Sequence, residues 1–210
     1  MANIFLDLDG TLIDSTARLY QLFIDIVSTA KISSCEYRQL KRSGQSNQLI
    51  LSQCLGYSNS QIEEFISRWM AEIENTFYLK LDKKFEFADS ALEALSKQHT
   101  IFIVTARQDV LAAEKQIEQF GFTRYIQRSF ITRQQITKSD LIQNSKIILN
   151  RGDVFVGDTG VDIQSAQALG VTSVAVLSGS RNRASLEKYK PDFIYRDLNE
   201  FVLDFKINIH

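Results

Sequence analysis

Proline is nearly absent from these 210 residues, Pro191 being the single one, and no segment is repetitive or of low complexity. A proline-rich linker and a repeat array are therefore both excluded. Cysteine is almost as scarce. Cys35 and Cys54 lie in a helix-patterned stretch without metal-ligand spacing, which argues against a structural zinc or disulfide and predicts two ordinary thiols, buried or half-buried. No charge sign dominates: 24 basic and 25 acidic residues leave a net charge of −1, so no global field calls for a nucleic acid or a membrane surface. No apolar run approaches the roughly 20 residues that span a bilayer. The N-terminus lacks a basic segment and carries an acid as early as Asp7, so it does not read as a signal peptide. The expected setting is a reducing cytoplasm, and the sequence leaves the oligomeric state open.

What is present suits a soluble globular chain, long enough to build a full core without staples, as one large domain or one domain carrying an insertion. Apolar runs end or centre at Ile4-Phe5-Leu6, Ile101 to Val104, Ser129 to Ile131, Val154 to Val156 and Ser173 to Val176. Such near-continuous runs predict strands covered on both faces, as in parallel sheets. Between them, Val110, Ala113, Ile117 and Phe120 recur at helical spacing before Gly121, and Gly170 closes Asp162 to Leu169 in the same way. Alternating strands and helices predict an α/β fold with a doubly wound parallel sheet.

One connection is far too long for a simple crossover, because more than ninety residues separate the first strand from the second. Leu19, Leu22, Phe23, Ile26, Val27 and Ala30 form one apolar stripe. Ser60 and Glu63 form a capping-box pattern ahead of Ile62, Phe65, Ile66, Trp69, Met70, Ile73 and Phe77. The expected organisation is a core of residues 1–15 and 85–210, interrupted by a helical subdomain of residues 16–84.

The chemistry-bearing residues stand at strand ends. Phe5-Leu6-Asp7-Leu8-Asp9-Gly10-Thr11 delivers two carboxylates, one residue apart, at a sharp turn, where open parallel sheets gather their ligands. Gly157-Asp158-Thr159-Gly160-Val161-Asp162 repeats the arrangement after a later strand, although Asp162 also stands where a helix N-cap belongs. Hard oxygen donors from two strand ends suit Mg²⁺. Thr105 and Lys138 follow two further strands and offer a hydroxyl and an ammonium to a transferring phosphoryl group. His99 and His210 lie outside every motif, so histidine catalysis is not indicated.

Asp-x-Asp, Thr, Lys and Gly-Asp-x-x-x-Asp, in this order and each after a strand, resemble the haloacid dehalogenase superfamily, and within it the phosphoglycolate-phosphatase-like branch with a helical cap. The resemblance implies a Mg²⁺-dependent phosphatase acting on a small-molecule phosphate ester. Asp7 would be the nucleophile, Asp9 the acid and base, and Thr105 and Lys138 the holders of phosphoryl oxygens. The metal would be held by Asp7, the Asp9 backbone carbonyl and Asp158, with Asp162 in support. Thr105-Ala106-Arg107 departs from relatives that carry Asn at the middle position. Arg107 either touches substrate or, on the plainer reading, lies on the exposed start of the next helix. Lys138 lacks the proline that commonly follows it, which leaves Lys146 as a rival. In capped relatives a loop between cap helices reads the leaving group, and Leu40 to Asn47, with Lys41 and Arg42, matches its place; the plainer reading is a solvated basic turn. A phosphosugar mutase shares this core chemistry, though no convincing set of cap residues for it is present. A phosphoacceptor receiver module, a non-enzymatic alternative, is shorter and phosphorylated after a later strand.

Overall fold

The apolar runs form a parallel sheet in a computed structural model that describes residues 1–28 and 32–207. From β1 (Asn3–Leu6) the chain passes through β2 (Ile13–Asp14) into α1 (Thr16–Ile26), α2 (Ser34–Arg42), α3 (Asn47–Leu49), α4 (Asn59–Glu72) and α5 (Thr76–Leu79). It returns through β3 (Lys83–Lys84) and α6 (Ala88–Ser96) to β4 (Thr100–Thr105). The alternation then continues with α7 (Val110–Gln119), β5 (Arg128–Ile131), α8 (Lys138–Gln143), β6 (Val154–Gly157) and α9 (Gly160–Leu169). It ends with β7 (Thr172–Val176), α10 (Arg183–Glu187), β8 (Phe193–Tyr195) and α11 (Leu198–Ile207). Six strands pair in the order β5-β4-β1-β6-β7-β8, all parallel. Strand order reverses between β1 and β6, which is where such sheets open a crevice at their carboxyl edge.

Side chains alternate across the sheet with a period of two. Ile4, Leu6, Ile103 and Val156 face Leu92 and Leu95 of α6 and Phe201 of α11, while Phe5, Phe102, Val104 and Phe155 face Ile142 of α8 and Ala166 of α9. Both faces are dry, so no polar alternation marks the strands in the sequence. The Phe5 ring stacks between Phe102 at 5.2 Å and Phe155 at 6.1 Å, and each such buried side chain contributes about 1.5–3 kcal/mol. This packing fixes the strand whose end carries Asp7.

The helices of the insertion have a core of their own, centred on Phe23, Tyr37, Ile50, Leu51 and Phe65. Leu22 and Phe23 of the expected stripe are buried, whereas Ala30 lies outside the described residues. The capping box falls two residues earlier than expected. Ser58 caps α4, and the Gln61 side-chain oxygen accepts in return from the Ser58 backbone N–H, because a glutamine serves this role as well as a glutamate. Cys35 and Cys54 are exposed rather than buried or half-buried, since the apolar faces of their segments are supplied by Tyr37, Ile50 and Leu51. A feature without sequence signal closes the neck: β2 and β3 pair antiparallel, Ile13 with Lys84 and Asp14 with Lys83. Two-residue strands are too short for periodicity to show.

Candidate active site

Each motif residue reaches the carboxyl edge of the sheet because a strand ends there. Asp7 follows β1, Thr105 closes β4, Asp158 follows β6, and Lys138 opens α8 after β5. Asp7, Asp9, Thr105 and Lys138 line a cleft of about 390 Å³ together with Leu19, Trp69, Ile73, Arg181 and Tyr189. Asp158 and Asp162 are fully buried behind it, and carboxylate oxygens of Asp7, Asp158 and Asp162 lie within 4.8 Å of one another.

Lys138 holds this cluster. Its Nζ donates to Asp7 Oδ1 and to Asp162 Oδ1, both at 2.6 Å. Burial alone would lower the Lys138 pKa, but the carboxylates of Asp162 and Asp7 overcome it and hold the ammonium charged, well above its ordinary value. Lys146 is exposed and lines a different depression with Asn3, at the start of β1 and thus the opposite edge of the sheet. Lys138 therefore occupies the place for which the two lysines compete.

The supporting contacts are local. Asp162 is not the N-cap of α9 but its third residue, and its Oδ2 accepts from the Thr159 backbone at 3.0 Å and the Thr159 hydroxyl at 2.6 Å. Asp158 Oδ2 accepts from the Ser180 backbone at 2.6 Å and the Ser180 hydroxyl at 2.9 Å. Two glycines make room for it. A Cβ on Gly10, which also has a φ of +81°, would stand 2.5 Å from the Asp158 carboxylate carbon, and one on Gly179 would stand 2.1 Å from its Oδ2.

Electrostatics leave the cluster short of positive charge. Burial, with the neighbouring Asp162, pushes the Asp158 carboxyl up to about 6 despite the Ser180 hydrogen bonds. Burial also raises Asp7, opposed by Lys138 and reinforced by Asp162 and Asp158. Three buried carboxylates face one ammonium. Asp7 Oδ2 and Asp158 Oδ1 have no hydrogen-bond donor among the described residues. Two free oxygens from adjacent strand ends, in an undercompensated buried cluster, fit a hard divalent cation such as Mg²⁺.

Asp9 is held differently. Arg107 grips it twice, Nε to Oδ2 at 2.7 Å and Nη2 to Oδ1 at 2.9 Å, and Arg18 Nη2 also donates to Oδ1. Both guanidiniums bind Asp82 as well, through Arg18 Nε at 2.9 Å and Arg107 Nη2 at 3.3 Å. Arg107 Nη2 further donates to Gln116 Oε1 at 3.0 Å. Burial would raise the Asp9 carboxyl, but Arg107 and Arg18 hold it well below the usual carboxylate range. Arg107 is thus not on the exposed start of a helix. It is buried, drawn inward by Asp9 and Asp82.

Lys41 and Arg42 do not line the Asp7 cleft. They line an adjoining cavity with Thr16, Tyr20, Arg38 and Ser180. The residue that reaches the cleft from that side is Arg181, whose Nη1 donates to the Lys41 carbonyl at 2.8 Å. Arg18, Asp82 and Ser180 belong to no motif of the sequence, and Arg181 stands there only as a second place to look should Lys41 and Arg42 face solvent. A signal existed for Arg18, a charge on the apolar stripe four residues before Leu22. For Ser180 and Arg181 it was their place in the polar loop after β7.

A family model described as haloacid dehalogenase-like hydrolase matches residues 4–176. No curated protein matches the chain. Among solved structures, a haloacid dehalogenase-like family hydrolase from Streptococcus pneumoniae is 22% identical with a TM-score of 0.79, covering 98% of each chain. A structure from Clostridium acetobutylicum described as a predicted phosphatase is 15% identical with a TM-score of 0.78, again over 98% of each chain. One from Haemophilus somnus 129PT, described as a predicted phosphoglycolate phosphatase, is 19% identical with a TM-score of 0.71 over 98% of each chain.

Proposed function

The chain belongs to the haloacid dehalogenase-like hydrolase family, and from that premise we propose that it is a Mg²⁺-dependent phosphatase that cleaves a small-molecule phosphomonoester through an aspartyl-phosphate on Asp7. The observation that carries this reading is the buried Asp7–Lys138–Asp162 bridge beside Asp158, which leaves one oxygen free on Asp7 and one on Asp158. One oxygen of the Asp7 carboxylate would attack phosphorus while the bond to the leaving oxygen breaks. Asp9 would give that oxygen a proton, then take one from the water that attacks the phosphorus of the acyl-phosphate, releasing phosphate and restoring Asp7. Thr105 and Lys138, both buried at the cleft, would hold the phosphoryl oxygens. Mg²⁺, held by Asp7, Asp158 and the Asp9 carbonyl with Asp162 in support, would offset the repulsion between a carboxylate and a dianionic phosphate.

In the arrangement described, Asp9 is ionised by Arg107 and Arg18, which suits its role as base. Acting as acid requires that this grip loosen. Arg18 belongs to α1 and also donates to the Ile73 carbonyl at 3.1 Å, so the loosening would involve the insertion. Residues 16–84 would serve as a cap, since Leu19, Trp69, Ile73 and Glu74 form one side of the cleft. The likeness to structures described as phosphoglycolate phosphatases fits a small leaving group in a cleft of this size. A cytoplasmic setting belongs to the same proposal; among the described residues no helix is long and apolar enough to cross a membrane.

The test is Asp7→Asn, assayed on 4-nitrophenyl phosphate with Mg²⁺ and checked by circular dichroism. An amide cannot form the acyl-phosphate, so turnover should fall by roughly 10³-fold or more in a folded protein. Near wild-type turnover would overturn the covalent mechanism.

A further inference from the structure

The cavity that adjoins the cleft holds about 420 Å³ between α1, α2, Leu81 and the loop of Ser178 to Ser180. One wall is apolar and aromatic, from Leu19, Tyr20, Tyr37 and Leu81. The opposite character comes from α2, where Ser34, Arg38, Lys41 and Arg42 fall at helical spacing on one face. Among the described residues, neither Arg38, Lys41 nor Arg42 has a carboxylate within salt-bridge distance, and the same holds for Arg181 beyond the rim. Lys41 Nζ has one neutral partner, Asn47 Oδ1 at 3.2 Å. The single acid lining the cavity, Asp14, is engaged by the Thr16 backbone and hydroxyl. Burial, helped by Arg181, pushes the Lys41 ammonium down to about 8, as befits a desolvated cation without a counter-charge.

We infer that this cavity is a binding site for a small organic oxyanion, a carboxylate or phosphate carried on a ring or other apolar body. The volume suits a molecule of that size. The apolar wall would take the body, and the guanidiniums of Arg38 and Arg42 would take the anion. The site joins two parts of the protein, because its far wall is the loop whose Ser180 holds Asp158 and whose Asn182 backbone donates to the Arg42 carbonyl at 2.8 Å. Its occupant would therefore tie α2 to the loop that orients the proposed metal ligand. The oxyanion could be the distal group of a substrate seated in the cleft or belong to a separate molecule; the chemistry that recognises it is the same.

The probe is phenylphosphonate, an aryl dianion with no bond to hydrolyse, titrated by calorimetry into the full chain in chelator. Without metal, the acidic cleft repels it, so binding reports the cavity. Arg38→Gln with Arg42→Gln should weaken binding about tenfold to hundredfold, Arg38→Lys with Arg42→Lys should recover most of it, and Asp7→Asn should leave it unchanged. Absence of binding at millimolar probe, or equal affinity in the Gln variant, overturns the inference. So does a change in affinity confined to Asp7→Asn, which would place the probe in the cleft. This measurement needs no turnover and stands or falls apart from the phosphatase reading. Kinetics separate the sources. If the oxyanion is the substrate's own, the Gln variant raises KM for 4-carboxyphenyl phosphate about tenfold more than for 4-nitrophenyl phosphate. If it is a separate molecule, the two KM values move together and phenylphosphonate changes kcat through Arg38 and Arg42.

Discussion

In the Asp7 cleft three buried cations each meet two carboxylates: Lys138 binds Asp7 and Asp162, and Arg18 and Arg107 both bind Asp9 and Asp82. A few residues away, across Leu19 and Ser180, Arg38, Lys41 and Arg42 border a cavity and meet none among the described residues. The first set spends its charge on holding the protein's own acids in position. The second set has charge left over for something else. Position in the chain does not distinguish the two sets, since Arg18 and Lys138 stand near helix starts and Arg107 in the loop before α7, while Arg38, Lys41 and Arg42 lie in α2; the presence of a fixed counter-charge does.

Removing a compensated cation should do the most damage. Lys138→Met leaves Asp7 and Asp162 buried without their ammonium, which should cost the metal-free chain about 3–5 kcal/mol in urea denaturation, and added Mg²⁺ should recover part of that loss. A cost below about 1 kcal/mol would mean the bridge is not a fixed charge pair, and the contrast between the cavities would collapse.

Proton linkage gives the next largest effect. The Asp158 carboxyl lies at about 6 in the folded chain against 3.8 ordinarily. Between these values the folded state keeps a proton that the unfolded chain releases, so the Asp158 contribution to the stability of the metal-free protein should fall as pH rises from about 4 to about 6 and then level off. From Asp158 alone the loss is at most about 3 kcal/mol. Asp7, shifted the same way by burial, adds in the same sense, whereas Asp9, shifted down, acts only below this window. On the proposal that the deprotonated carboxylates hold Mg²⁺, excess metal should reverse the trend. Denaturation midpoints across pH, with chelator and with Mg²⁺, check both; a flat metal-free profile would show the cluster to be compensated by other means.

The smallest effect belongs to the second set. Arg42→Gln strands no carboxylate, so stability should move by no more than about 0.5 kcal/mol. A cost above 2 kcal/mol would reveal a fixed partner and erase the difference between the two cavities.

How much of this was readable beforehand follows the same division. Asp7 and Asp158 could be placed because each directly follows a strand, and strands announce themselves as apolar runs; Thr105, at the end of β4, and Lys138, several residues past β5, gained meaning only from their order. The strand runs and the parallel sheet were equally legible. The grip of Arg18 and Arg107 on Asp9 was not, because it joins positions 9, 18, 82 and 107, a tertiary juxtaposition that no local pattern encodes. Arg107 read as exposed for that reason: a guanidinium beside a helix start is ordinarily solvated, and only the paired pull of Asp9 and Asp82, both distant in sequence, explains why this one is buried. The β2–β3 pairing escaped because two residues carry no period.

That short pairing bears on how the molecule assembles. The central strands β1 and β4 join Asn3 to Thr100, 97 positions apart, and bringing chain ends together costs entropy that grows with the logarithm of the intervening length. Once Ile13 and Asp14 have met Lys84 and Lys83, the free loop between β1 and β4 shrinks to roughly 26 residues, which lowers that cost by about 1 kcal/mol. The insertion carries its own apolar core, so it can collapse early and zip its neck before the sheet is nucleated. Pulse-labelled amide exchange during refolding should then show protection in α1 and α4 ahead of β1 and β4, and the reverse order would rule this route out. A segment that looks like an interruption of the sheet would, on this route, be what brings its two halves together.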